Sequence, residues 1–334
     1  MRASSAFSHA SSTPTRGGAH CLVRRHRGHH SESPPSSSRT GSGRSRLPAG
    51  GPRHAGPGRS VPLLVLVLSC RPEAETVTAT AWDTENRLRD QMVGIGNGRY
   101  RFRTTPGNSP NVVFIAGGGT DATYWSALQN ELTARTGAAT VSYDRAGHGE
   151  SDPAEGEYRL ENEANSLRIG LEAINRERDV ILVSHSFGAF VAFTYIALFP
   201  DDVAYSVFLD PNTVRYVDGI GGAQAQIKSA DLDALPNDNF GHAMREILRA
   251  YPQLVEDVRS LPKSTPPCQV VSGERRWLPS AHQHEQWLAG HRALAQRCKT
   301  PWVLSEHSDH HLAHQAPDLV LDTIVSAVKI ATSG

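Results

Sequence analysis

The sequence predicts an α/β fold built on a mostly parallel, doubly wound sheet. Three observations carry that reading. Short apolar runs alternate with segments of helical spacing from about residue 93 onward. Glycine-rich or acidic turns follow the strand-like runs at their carboxyl ends. One polar segment, residues 212–265, interrupts the alternation once. Strands alternating with helices of this length pair in parallel and bury both sheet faces under helices.

Residues 111–115 (NVVFI) read as a buried strand, closed by Gly117, Gly118 and Gly119. Residues 121–136 have helical spacing, with Trp125, Leu128 and Leu132 on one face. A short strand at 139–143 runs into a glycine-rich loop. A second helix covers 161–175, where Leu167, Leu171 and Ile174 recur at i, i+4 and i+7. Residues 180–183 form a strand, 187–199 a helix, and 203–209 a strand ending at Asp210. Beyond the interruption come a strand at 269–271, a helix around 284–296, a strand at 302–304 and a last helix over 317–330. The interruption is largely helical and punctuated by proline, and is expected to sit above the sheet. No internal repeat is present.

The formal charge of zero, from 34 basic and 34 acidic residues, conceals an asymmetry. The first 60 residues hold ten arginines, no lysine and one acid, Glu32, for about +9; the rest holds 24 basic and 33 acidic residues, for −9. Rich in Ser, Pro, Gly, Arg and His, that first segment has too few large apolar residues to offset its chain entropy, so disorder is its default. A nucleic-acid arm or a transit peptide is also Arg-rich and acid-poor; only Phe7 interleaves aromatic character with the arginines, which speaks against the nucleic-acid arm. The apolar run VPLLVLVLSC at 61–70 is too short to span a bilayer, which takes ~20 residues. It has the length of a signal-peptide core, and Ser69-Cys70 loosely resembles a lipoprotein cleavage site, yet it lies far from the start. A start at Met92, which opens MVGIGNGRYRF, would make residues 1–91 a mis-called extension. The first reading implies export or a lipid anchor, the second a cytoplasmic protein, and residues 92–334 are the folded body in both. Of the four cysteines, Cys268 and Cys298 each precede a predicted strand, and a bridge is open to them if those strands are neighbours. Buried free thiols are the expectation for them unless the chain is exported.

The stretch VILVSHSFGAF, residues 180–190, carries the chemistry. A strand ending in small-x-Ser-x-Gly and passing at once into a helix is the sequence form of a nucleophile elbow. The turn is tight enough to require small residues two before and two after the serine, here Ser184 and Gly188. The serine is thereby strained and its hydroxyl lifted above the sheet, where the amide of Phe187 at the helix start also points. A serine hydroxyl needs a base. The candidates lie in SEHSDHHLAHQAPDLV after the last strand: His310 first, His311 second, with His307 and His314 less well placed. The base needs an orienting carboxylate, for which Asp210 in VFLDPN and Glu274 in VVSGERR compete. A tetrahedral oxyanion needs two donors. The loop AGGGT at 116–120 supplies one, Gly118 or, in the alternative register, Gly117. No Gly-Lys-Ser/Thr follows, so a nucleotide-binding loop is excluded.

Taken together, these motifs resemble the α/β-hydrolase superfamily over about residues 95–332. The carriers are AGGGT with Trp125 beyond it, YDRAGHGES at 143–151, VSHSFGAF, FLDPN and DHHLAHQAPDLV. The resemblance implies the order nucleophile, acid, base as Ser186, Asp210, His310, with a helical cap inserted after the sixth strand at about 212–265. The loop YDRAGHGES is implied to be structural. Two departures matter: Arg276 stands where many relatives carry the acid, which favours Asp210, and Ala116 replaces the usual histidine of the oxyanion loop. The implied activity is hydrolysis of a small apolar carboxylic ester, thioester or lactone through an acyl-enzyme, without metal or organic cofactor. The rivals are a ligand-binding protein of the same fold and an acyltransferase or lyase using the same groups. No nucleic-acid partner and no stable membrane span are expected, and the oligomeric state is open.

Overall fold

A computed structural model of the protein describes residues 88–228, 230 and 232–333. The arginine-rich segment, the run at 61–70, Cys21 and Cys70 lie outside the described residues. Eight strands form one sheet: β1 (Arg89–Ile95), β2 (Gly98–Thr105), β3 (Asn108–Ile115), β4 (Ala138–Tyr143), β5 (Val180–His185), β6 (Val203–Leu209), β7 (Cys268–Gly273) and β8 (Val303–Ser305). Their spatial order is β1-β2-β4-β3-β5-β6-β7-β8. β1 pairs with β2, and β2 with β4, antiparallel; every other pairing is parallel.

Successive residues of the central strands supply two cores, as a pleat with a two-residue period requires. Val113, Ile115, Leu182 and Phe208 join one core. It is covered by α2 (Leu160–Ala173), α3 (Gly188–Leu198), α6 (Asn239–Ser260) and α7 (Ala281–Cys298). Val112, Phe114, Ile181, Val183 and Val207 join the other, under α1 (Ser126–Thr136) and α9 (Pro317–Ser333). Each such residue, fully buried, contributes roughly 1.5–3 kcal/mol over its exposed state. Between β6 and β7 the chain makes α4 (Val214–Gly219), α5 (Ala223–Lys228) and α6. Ile247, Ala250, Tyr251, Leu254, Val255 and Val258 give α6 one continuous buried stripe. The short α8 (Leu312–Gln315) precedes α9.

Three sequence expectations change. Residues 121–136 are not one helix: a 3₁₀ turn at Ala122–Trp125, capped by the Asp121 side chain, precedes α1. The sheet begins at Arg89, so Met92, expected to open the folded body, lies inside β1. β1 and β2 form a hairpin closed by Gly96 and Asn97, with Gly96 at a φ of 60°. Cys268 and Cys298, expected as free thiols, are a disulfide. α7 packs back along β7 and sets their Cα atoms 5.0 Å apart, within bridging range. No helix among the described residues is long and apolar enough to cross a membrane.

The bridge closes a loop across a sequence separation of 30. Loop-closure entropy then assigns it about 3–4 kcal/mol. Cys298→Ser should lower the unfolding free energy by that amount in urea titrations, and non-reducing peptide mapping should recover the two cysteines linked.

Candidate active site

The chain runs from β3 through α1 to β4 on one side, then crosses back to β5 and continues through α3 to β6 on the other. β3 and β5 are therefore neighbours whose outgoing connections diverge. This switch point leaves a crevice above their carboxyl ends. The AGGGT loop follows β3 and Ser186 follows β5, so both stand at the crevice.

Ser186 adopts a φ of 53°, in the left-handed region that costs a non-glycine residue energy. The strain is held from three sides. The Ser186 amide donates to the Leu209 carbonyl at 3.2 Å, and its carbonyl accepts from Asn212 at 2.9 Å and Ala189 at 3.1 Å. A Cβ at Gly188 would lie 2.6 Å from the Ile115 carbonyl oxygen, so only glycine lets α3 start this close to β3. Ser184 is fully buried.

The Ser186 hydroxyl meets His310 Nε2 at 2.9 Å, and His310 Nδ1 meets Asp210 Oδ2 at 2.7 Å. The tautomer follows from donor accounting. A carboxylate only accepts, so Nδ1 carries the proton, Nε2 is bare and the hydroxyl donates to it. Asp210, at a φ of 44°, is 1% exposed. Its Oδ1 accepts from the Gly273 amide at 3.2 Å and its Oδ2 from Trp287 Nε1 at 2.8 Å. Burial raises the Asp210 pKa; His291, the Trp287 N–H and the Gly273 amide oppose that rise. Burial, helped by neighbouring His311, pulls His310 below the ordinary value of 6.5, so its imidazole is neutral near pH 7.

Of the alternates, Glu274 is exposed, and its side chain has no hydrogen bond or ion pair among the described residues. His311 is exposed, with its ring 5.6 Å from that of His310. Gly117 and Gly118 both border the elbow. A Cβ at Gly117 would lie 3.2 Å from Ser186 Cβ, and one at Gly118 3.7 Å from Phe187 Cβ and 3.8 Å from Met244 Cε of α6. The Phe187 and Gly118 amides have no hydrogen-bond partner among the described residues.

Six further groups shape the site without having been singled out individually in the sequence. Trp277 stacks on the His310 ring at 4.0 Å and 18°. Trp287 braces Asp210. His185 Nε2 donates to the His310 carbonyl at 2.8 Å, fixing the backbone that carries the His310 ring. Buried Arg145 donates to the Gly117 carbonyl at 2.6 Å. His148 Nε2 lies 3.0 Å from both Arg145 Nη2 and the Gly118 carbonyl. Arg145 only donates, so His148 Nε2 accepts, and Nδ1–H donates to the Ala146 carbonyl at 3.0 Å. Asp144 of the same loop is fully buried and takes hydrogen bonds from Ala122, Glu150 and Arg101. The loop thus fixes the AGGGT backbone from behind. Only His185, adjoining the elbow serine, and the arginine and histidine of YDRAGHGES carried a sequence signal. Among the described residues no cluster of His, Cys, Asp or Glu has the arrangement of a metal site.

The profile of the alpha/beta hydrolase family matches residues 112–323. The chain belongs to the alpha/beta hydrolase family. The protein YqjL of Bacillus subtilis is 25% identical to it over 63% of this chain and 79% of its own. A 2-(acetamidomethylene)succinate hydrolase of Mesorhizobium japonicum is 23% identical over 66% of this chain and 89% of its own. Among solved structures, Cfl2 of Burkholderia cenocepacia superposes with a TM-score of 0.55 at 17% identity, over 72% of this chain and 96% of its own. An E-2-(acetamidomethylene)succinate hydrolase superposes with a TM-score of 0.53 at 22% identity, over 73% of this chain and all of its own. The likeness to the two solved structures is one of fold.

Burial also holds His148 and His291 neutral, lowered to about 3 and about 4 against 6.5 unperturbed. A depressed histidine contributes stability that is full above 6.5 and lost as pH falls toward its folded value. Asp210 and Glu163, both raised by burial, act in the opposite sense. The His291 part is therefore read as a difference: the stability advantage of wild type over His291→Asn should shrink as pH falls from 6.5 to about 4 in urea titrations.

Proposed function

We propose that this protein is a serine hydrolase that cleaves a carboxylic ester, thioester or lactone of a small apolar substrate through an acyl-enzyme. The observation carrying this reading is the unbroken relay Ser186 Oγ, His310 Nε2, His310 Nδ1, Asp210 Oδ2, at 2.9 and 2.7 Å. Ser186 Oγ attacks the carbonyl carbon as His310 Nε2 takes the hydroxyl proton. The resulting imidazolium stays held through Nδ1–H to Asp210. His310 then protonates the leaving oxygen or sulfur, and in the second half accepts a proton from the water that attacks the acyl group. The oxyanion is held by the amides of Phe187 and Gly118. Arg145 supports that register. It draws the Gly117 carbonyl toward itself, and a planar trans peptide turns the Gly118 N–H the opposite way. Helices α4 to α6 act as the cap. Met244 of α6 and Trp277 border the space over the serine and make it apolar. The relative named for 2-(acetamidomethylene)succinate supports hydrolysis as the reaction class. The reaction needs no metal or organic cofactor.

Three outcomes test this. A fluorophosphonate probe should modify Ser186, and Ser186→Ala should lose turnover of p-nitrophenyl esters by ~10⁶-fold; retention of most turnover removes Ser186 from the mechanism. Asp210→Asn should be severe and Glu274→Gln nearly silent, because only Asp210 reaches His310. The acid limb of kcat/KM should have its midpoint below 6.5, since the base works neutral and its pKa is depressed.

A further inference from the structure

A cavity of about 670 Å³ opens away from this site, between α3, α4, the end of α6 with the segment following it, and α7. Ser186, Asp210 and His310 do not border it. Phe193, the first α3 residue in its wall, lies seven positions beyond Ser186, roughly 10 Å along the helix. Ile196, Val214, Val258, Leu261 and Leu294 continue the apolar lining. Its volume falls in the range of small-molecule sites, about 300–1,000 Å³.

The rim is cationic. Arg215, Arg259, Lys263 and Arg297 border the opening with a single acid, Asp218. Arg259 is already neutralised: it grips both Asp218 oxygens, at 2.7 and 2.9 Å, and Glu256 at 3.1 Å. The other three have no carboxylate within ion-pair distance among the described residues. Lys263 Nζ donates to the Arg259 carbonyl at 2.9 Å, and Arg297 Nη2 to the Lys263 carbonyl at 3.1 Å. Desolvation lowers the Arg297 guanidinium below its ordinary value with nothing to offset it. In a body with nine more acids than bases, three uncompensated cations beside one apolar wall are complementary to an anion with a greasy chain.

We propose that this cavity is a second ligand site that takes a free amphiphilic carboxylate. Its chain lies along Phe193, Ile196 and Leu294, and its head group meets Arg215, Lys263 and Arg297. The concave slot between helices suits one free chain better than a bilayer surface. Such a ligand bridges α4 and α6 to the sheet-flanking helices α3 and α7. The inference is independent of the proposed reaction, since its readout is binding.

Isothermal titration of the full chain with decanoate tests it, with 1-decanol as the uncharged probe and phosphatidylglycerol vesicles as the bilayer probe. Decanoate should bind, and Arg215→Glu and Lys263→Glu should each weaken it about tenfold. Both residues are exposed, so these variants keep the fold. Leu294→Trp, checked by circular dichroism, should abolish binding by filling the slot. Decanol should bind at least about tenfold more weakly and be indifferent to the charge reversals. Ser186→Ala should leave decanoate affinity unchanged. Absence of decanoate binding, undiminished wild-type affinity in the two charge-reversed proteins, or cosedimentation with vesicles in place of decanoate binding overturns the proposal.

Discussion

Keeping one carboxylate dry while keeping it charged is the constraint on which this site depends. Removing an ionised carboxylate from water costs several kcal/mol unless hydrogen bonds replace the lost solvent. Asp210 receives them from three directions: the Gly273 amide, the Trp287 indole and the His310 ring. The donors come from β7, α7 and the segment after β8, so the carboxylate is satisfied only when three separate parts of the fold have docked. Gly273 is part of the same device. A Cβ there would fall 2.0 Å from the Asp309 carbonyl oxygen, and the segment bearing His310 would be held away.

The strained serine is the complementary half. Its left-handed backbone survives because β6, the segment after β6 and α3 each hold a hydrogen bond to it, an over-determination that sustains the strain. The order of strands places that serine beside the glycine loop after β3 without any long-range chain excursion. Behind the loop, Arg145 donates to the Gly117 and Gly118 carbonyls, and His148 accepts from that guanidinium and holds it in place. Burial raises the Glu163 pKa against the opposing pull of the Arg145 guanidinium, and Tyr143 donates to that carboxyl at 3.0 Å.

What the sequence made legible was local. The elbow can be read because its steric demand is met within five residues, between a buried strand and an apolar helix. Asp210 and His310 can be read because each follows a strand at its carboxyl end. Trp287 could not be found this way: it braces a residue 77 positions earlier, from the middle of a helix whose spacing already accounts for an aromatic residue. The stacking of Trp277 on His310 likewise arises only when two loops meet. β1 escaped notice because RDQMVGI lacks the apolar alternation that marks a half-buried strand; its burial is confined to the last residue. The bridged cysteines depended on how α7 returns along β7, a register that spacing does not encode. At Ala122–Trp125 the helical spacing was real, but the tighter 3₁₀ geometry is set by the Asp121 cap.

The two margins of the sheet have a bearing on solubility. One ends in β1, where Arg89, Asp90 and Gln91 are exposed and Asp90 is engaged by Arg103 at 2.6 Å. The other ends in β8, only three residues long. A charged strand and a stub both offer poor templates to the backbone of a stranger chain. A strongly parallel, deeply apolar sheet is thus discouraged from growing by strand addition at either described margin, by side-chain charge at one and by brevity at the other.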